Sequence, residues 1–291
     1  MKRLIVNGDD FGFTHGVNTG ILRAHKEGIL TSATIMANGD AFEEAAGIAR
    51  QNPSLGVGCH IAIVGGRPVA PPAEIPSLVN DTGLLPRTLG ELTRKLAFGT
   101  VRISDVQREF RAQLERVLAA GISPTHLDTH KHTHVHPRVM KALGEVAAEC
   151  GINRIRKPFQ NWRLGLRGPA AKAANAVYLK QYAMAFVVRP SFVFFRRTVV
   201  RHRLHTPDWF YGVSLTGLLD AEAVVQILSQ LPSGTSELMC HPGLCDADLE
   251  QSHTRLKHSR ELELAALIDS RVRCATTEQG IDLIDYRDLG N

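Results

Sequence analysis

Short runs rich in Val, Ile and Leu alternate with amphipathic stretches along most of the 291 residues. The apolar runs predict strands at Arg3–Asn7, Ser32–Ala37, Gly56–Ile61, Pro124–Asp128, Arg154–Arg156, Glu237–Cys240 and Arg271–Cys274. Helical spacing falls between them, over Asn18–Glu27, Ala41–Arg50, Ser104–Ala120, Pro137–Cys150, Ala221–Leu231 and Arg255–Asp269. From Asp105 to Leu118 the period is clear, because Val106, Phe110, Leu114, Val117 and Leu118 share one side. Pro137 suits a first helical turn and Gly151 the position just past a helix end. Repeated βα units predict an α/β fold, either a parallel sheet or a TIM-like barrel, and the length suits a single domain over residues 1–291. Insertions at about 65–100 and 158–206 interrupt the alternation. The first is rich in Gly and Pro and is expected as an ordered loop with little regular structure. The second carries a predicted helix over Pro169–Val187 and the aromatic run Phe192-Val193-Phe194-Phe195. Barrel enzymes place such additions over the mouth of the site, so this segment is expected to be a cap.

Charge changes the picture of that second insertion. The chain carries 34 Lys+Arg against 29 Asp+Glu, a net of +5. Between Glu149 and Asp208 there is no acidic residue and there are twelve basic ones; the rest holds 22 basic and 29 acidic residues, a net of −7. The cationic segment interleaves its arginines with Trp162, Tyr178, Tyr182, Phe186, Phe192, Phe194 and Phe195. One reading is a solvated basic face. The other is peripheral contact with an anionic membrane surface, where cations and aromatic rings are both favoured. No RNA- or DNA-binding motif accompanies the charge, so nucleic acid is not an expected partner.

Five scattered cysteines suit reduced thiols in a cytosolic protein better than a disulfide framework. Leu4-Ile5-Val6 is too short for the core of a signal peptide, and no stretch reaches the ~18 uncharged apolar residues of a membrane span. The expected location is therefore cytoplasmic, with any membrane contact peripheral and at the inner face.

Candidate chemistry lies at the ends of predicted strands. Asp9 and Asp10 follow the first, His60 ends the third, Asp128 and His130 end the fourth, and His241 follows Glu237–Cys240. In a β/α barrel these ends build the site. The run from His126 to His136 places Asp128, His130, His132 and His134 at even positions, so in an extended segment they share one face. Imidazole and carboxylate together suit zinc, manganese, iron or magnesium, but a solvated His-rich loop has the same composition. Asp9-Asp10 reads equally as a ligand–base pair or as a helix cap, a role open to Thr14 or Asp10. His60 and His241 taken singly fit packing, and Arg156 fits either a substrate anchor or a carboxylate partner.

Together, Asn7-Gly8-Asp9-Asp10-Phe11-Gly12, Thr31-Ser32 with Met36-Ala37-Asn38, Gly58-Cys59-His60, Thr125 to His134, and Cys240-His241-Pro242-Gly243 resemble the YdjC-like carbohydrate deacetylase family. Gly65 to Pro76 and His130-Lys131-His132 through Pro137 resemble its hopanoid-biosynthesis-associated branch. The resemblance implies an irregular β/α barrel with Asp10, His60 and His130 holding one divalent metal ion (Mg2+ or Zn2+). It implies Asp9 as general base and His241 as general acid; Asp128, His132, His134 and Arg156 stand beside these as candidates for contacting substrate or supporting the ligands. The implied reaction is N-deacetylation of an N-acetylglucosamine-type sugar, carried on a hopanoid lipid. Soluble chitooligosaccharides are the alternative substrate, and a non-catalytic lipid- or metal-binding protein the alternative class. Many relatives have His where Lys131 stands, so that position is not expected to ligate. Many have Ala where Gly8 stands, a change expected to alter only the turn.

Overall fold

In the computed structural model of the chain, which describes residues 1–161 and 176–290, strand β1 (Lys2–Phe11) is the axis of the molecule. Leu4, Ile5, Val6 and Phe11 have no exposed surface, as expected for a parallel strand covered on both faces. Helix α1 (His15–Glu27) follows, and Thr14 is its cap: the hydroxyl accepts from the Val17 N–H. Asp10 is thereby free for other work. Next come β2 (Ser32–Ile35), α2 (Phe42–Gln51) and β3 (Gly56–Ile61). The 65–100 region is more regular than its composition suggests. It forms helix α3 (Leu89–Ala97), capped by the Thr88 hydroxyl, with Leu92 and Leu96 buried at helical spacing.

The chain continues through α4 (Ile103–Ala119), β4 (Leu127–Thr129), α5 (Pro137–Glu149), α6 (Ala176–Val187) and α7 (Phe192–Arg201). Of the helix expected over Pro169–Val187, the part before Ala176 lies outside the described residues, as does Trp162. After β5 (Trp209–Tyr211) come α8 (Ala221–Ser229), β6 (Gly234–Cys240), α9 (Ala247–Gln251), α10 (Ser259–Ile268), α11 (Ser270–Glu278) and β7 (Ile281–Leu283).

All pairings are parallel, in the order β4-β3-β2-β1-β6-β5, with β7 against the start of β1. The expected strand at Arg154–Arg156 exists only as single bridges, Leu127 with Ile155 and Arg154 with His205. Those bridges carry the free edge of β4 round to the chain entering β5, which pairs with β6. The sheet therefore curls into an irregular barrel.

The expected strand at Arg271–Cys274 instead lies in the first half of α11. Its alternation of Val272 and Cys274 imitates a strand, but the buried set is Val272, Ala275 and Thr276, and Asp269 caps the helix. The strand of this region is β7, beyond the left-handed Gly280 (φ +59°).

Candidate metal and catalytic site

The rim of the barrel is shaped by an irregularity at the end of β1. Its register with β2 slips between Gly8 and Phe11, and Asp10 adopts a left-handed φ of 68°. A bulge at a strand end re-aims side chains, and Asp tolerates this backbone better than most residues. Gly8 is not in a turn, contrary to expectation. It pairs with Ala33 and Cys240 inside the sheet, and a Cβ there would stand 3.0 Å from Leu30 Cδ1 and 3.6 Å from the Pro242 ring. A methyl there would be in ordinary contact with Pro242 and would need Leu30 to give by only a few tenths of an ångström.

Asp9 and Asp10 are both buried and meet different partners. Arg156 donates Nη1 to Asp9 Oδ2 and Nη2 to Asp9 Oδ1, each at 2.7 Å, and Asn7 Nδ2 adds a bond to Oδ1 at 2.9 Å. Burial alone would raise the Asp9 pKa, but Arg156, with His60 nearby, takes it far below the usual carboxylate range. Asp10 accepts from Arg260 Nη2 at 2.6 Å through Oδ2 only. Burial again opposes ionisation, and Arg260 together with His130 outweighs it, so Asp10 too is held well below its ordinary pKa.

His60 and Asp128 face each other in register across β3 and β4. The Asp128 carboxylate accepts from His60 Nδ1 at 2.7 Å, which fixes the ring and turns Nε2 toward Asp10 and His130. Thr34 donates to the other Asp128 oxygen at 3.3 Å. Burial disfavours the His60 cation, yet Asp128, with Asp9 and Asp10 close by, raises its pKa to about 9.

Three donor atoms then converge. Asp10 Oδ1 lies 3.5 Å from His60 Nε2 and 3.1 Å from His130 Nδ1, and the two ring nitrogens are 3.3 Å apart. Donors ~2.1 Å from a shared tetrahedral ion would be separated by about 3.4 Å, so this set fits a divalent metal. Asp9, His60 and Asp128 form an overlapping cluster, but Arg156 already occupies both of its carboxylates. A guanidinium in contact with two carboxylates is a poor neighbour for a second cation there. Asp10, His60 and His130 therefore make the better cradle. The His130 side chain is 22% exposed, which opens the cradle to solvent.

The histidine run does not share one face. Lys131 and His132 are both left-handed (φ 54° and 51°), and residues His130–Val135 form a tight kinked turn rather than an extended segment. The kink sends each imidazole elsewhere. His130 alone reaches Asp10. His132 meets the edge of Phe210, with ring centroids 5.7 Å apart. His134 is fully buried; its Nε2 donates to the Arg156 carbonyl at 3.3 Å, so its Nδ1 accepts from the Thr129 hydroxyl at 2.6 Å. Burial, reinforced by the Arg156 charge, lowers the His134 pKa to about 3. His126 stacks on Tyr286 at 3.5 Å, and His136 caps α5.

Arg156 is completely buried, so it serves as a carboxylate partner and does not reach substrate. Besides Asp9 it binds Asp128 Oδ2 at 2.5 Å and Glu237 Oε1 at 2.7 Å. Glu237 also accepts from the Tyr286 hydroxyl at 2.6 Å. Burial raises the Glu237 pKa to about 7, against the pull of Arg156. Glu237, Arg260 and Glu263 escaped the sequence reading. Glu237 did leave a signal, a charge inside the apolar strand β6; Arg260 and Glu263 look like ordinary solvent-facing positions of α10.

His241 completes the rim. Its backbone N–H donates to Glu263 Oε2 at 2.6 Å, and its ring Nδ1 is buried 3.8 Å from that oxygen with no hydrogen-bond partner among the described residues. The ring is near enough to Asp9 and Asp10 to stabilise both charges. Gly20 of α1 permits this placement, since a Cβ there would lie 2.4 Å from Gly243 Cα. Of the residues expected at the site, Asp9, Asp10, His60, Asp128, His130 and Arg156 are joined by direct contacts, with His241 beside them, whereas His132 packs on Phe210 and His134 on Thr129 and the Arg156 carbonyl.

The YdjC-like protein family matches residues 3–278. A carbohydrate deacetylase of Geobacillus stearothermophilus is 36% identical over 286 residues, covering 98% of this chain and 97% of the relative. A chitooligosaccharide deacetylase of Serratia marcescens is 29% identical, covering 99% of each. A solved structure from Enterococcus faecalis V583, provisionally described as a cellobiose-phosphate cleavage protein, superposes with a TM-score of 0.76 at 25% identity over 98% of this chain and 97% of that one.

Proposed function

The chain belongs to the YdjC-like family, and from that premise we propose that it is a metal-dependent hydrolase that removes the acetyl group from an N-acetylglucosamine-type sugar. The observation that carries the reading is the convergence of Asp10 Oδ1, His60 Nε2 and His130 Nδ1 beside a carboxylate, Asp9, that is clamped by arginine. Two imidazoles and one carboxylate favour zinc over magnesium, which prefers oxygen donors throughout. When bound, such an ion polarises the acetamide carbonyl and makes an attacking water more acidic.

The chain's own residues do the rest. Arg156 holds the Asp9 carboxylate in a fixed plane, and Asn7 takes a further lone pair of Oδ1. Oδ2 keeps the lone pair that accepts the proton as water adds to the carbonyl carbon. The C–N bond then breaks, and the departing nitrogen needs a proton because an amide anion is not a viable leaving group. With Nδ1 of His241 buried against Glu263, Nε2 is the ring atom left to deliver it. The products are acetate and a free amino sugar.

We place the sugar on a hopanoid lipid, a reading supported by the motifs at Gly65–Pro76 and His130–Pro137. Soluble chitooligosaccharide is the competing substrate, supported by the name of the Serratia relative. Metal-loaded enzyme offered each substrate should release acetate from the N-acetylglucosaminyl hopanoid, and chelator should stop it. Release from the soluble sugar alone overturns the lipid assignment; release from neither overturns the reaction.

A further inference from the structure

Helices α6 and α7 turn their apolar side chains outward. Each buries a single residue among those described, Tyr178 in α6 and Phe195 in α7. Of the thirteen large hydrophobic side chains exposed among the described residues, eight lie between Leu179 and Val200. Phe186 is 59% exposed, Val187 69%, Val193 51%, Phe194 47% and Val200 70%. Apolar surface concentrated in this way marks an interaction face.

Charge decides what that face fits. Lys180, Arg189, Arg196, Arg197 and Arg201 are exposed on the same two helices and their connection. The sequence holds no Asp or Glu from Cys150 to Pro207 to answer them. The Arg189 guanidinium sits over the Phe186 ring at 5.5 Å and that of Arg197 over Phe194 at 5.9 Å, so cation and ring point to the same environment. A second copy paired about a two-fold axis would set this cationic patch against itself with no acid between. An anionic bilayer surface supplies both needs, phosphate for the arginines and the acyl boundary for Phe and Val. No helix among the described residues is long and apolar enough to cross a membrane, which makes such contact peripheral.

We propose that the α6–α7 face seats the protein on an anionic lipid surface. The face is coupled to the rim. Gln181 of α6 donates to the Ser214 carbonyl at 2.9 Å, the nearby Gly217 N–H donates to Glu263 at 2.7 Å, and Glu263 accepts from the His241 N–H at 2.6 Å. A seated protein would thus hold its rim beside the headgroup layer.

Flotation of the full chain with vesicles of phosphatidylcholine alone, or mixed with phosphatidylglycerol, tests this. The protein should float with the anionic vesicles only, and less as salt is raised. Arg196→Ala with Arg197→Ala should weaken partitioning about fivefold for each arginine removed. Phe186→Ser with Phe194→Ser should weaken it at least tenfold. Circular dichroism confirms that each variant is folded, and metal-stripped protein should float as well as loaded protein, so the result stands apart from the reaction assigned to the rim. Absence of flotation at low salt, or flotation unchanged in both double variants, overturns the proposal. So does a wild-type dimer that Phe186→Ser with Phe194→Ser converts to monomer, which would assign the face to a second copy of the chain.

Discussion

Asp9 and Asp10 are neighbours on one strand, both buried and both held by an arginine, yet the two clamps leave different atoms free. Arg156 grips both oxygens of Asp9 and so fixes the plane of a carboxylate that has no room to rotate toward a metal. Arg260 grips only Oδ2 of Asp10, which leaves Oδ1 aimed at His60 and His130. The bulge at the end of β1 makes the division possible, because it re-aims Asp10 relative to a regular strand. One half of the rim is built as a ligand set and the other as an oriented base. A two-point clamp gives orientation; a one-point clamp leaves a coordinating atom.

The comparison breaks most completely at the ligand half. Asp10→Ala, His60→Ala and His130→Ala should each lower metal content well below one equivalent and reduce acetate release to background, measured by elemental analysis and an acetate assay. Full metal content in any one of them removes that residue from the ligand set. At the other half, Asp9→Asn should retain metal while kcat falls by about 10²–10⁴. The amide keeps the size of the carboxylate but loses the basic oxygen. A variant that lost metal instead would merge the two halves into one.

Arg156→Leu tests the clamp itself. It would leave Asp9, Asp128 and Glu237 buried around an apolar side chain, and breaking a buried ion cluster typically costs about 3–5 kcal/mol. Urea unfolding of the metal-free protein measures it. An unchanged midpoint would show that the carboxylates find other partners and that the clamp is not what holds Asp9.

The site was more legible in the sequence than its geometry. The alternation of short apolar runs such as Leu4-Ile5-Val6 with helical stretches announced a parallel sheet or barrel, and the polar residues ending those strands announced the rim, because strand ends in such a sheet open to one side. The histidine run misled, since even spacing implies one face only if the backbone is extended, and nothing in its composition announces two consecutive left-handed residues at Lys131 and His132. Arg271–Cys274 misled through a chance alternation that a capping aspartate overrode. Arg260 and Glu263 were invisible, because their partners lie about 250 and 22 positions away in sequence and only the closed fold brings them to Asp10 and His241.

The smallest effect separates the orienting half from its own support. Glu237 is the third carboxylate on Arg156, and burial raises its pKa from 4.5 to about 7. A raised pKa means that folding favours the protonated form. Its stabilising contribution is therefore complete below about pH 4.5, where the unfolded chain is protonated too, and is lost as pH rises to about 7. The loss should be on the order of 2 kcal/mol across that window, since a single group cannot exceed ~1.4 kcal/mol per pH unit. Glu237→Gln keeps an oxygen for Arg156 and a polar partner for Tyr286, but cannot titrate. Its stability, read by urea unfolding of metal-free protein between pH 4.5 and 7.5, should be flatter with pH than that of the parent. Because the Glu237 side chain bonds Arg156 and Tyr286 and none of Asp10, His60 and His130, metal content should not change. Parallel pH profiles for variant and parent would instead place the titrating group elsewhere in the carboxylate cluster.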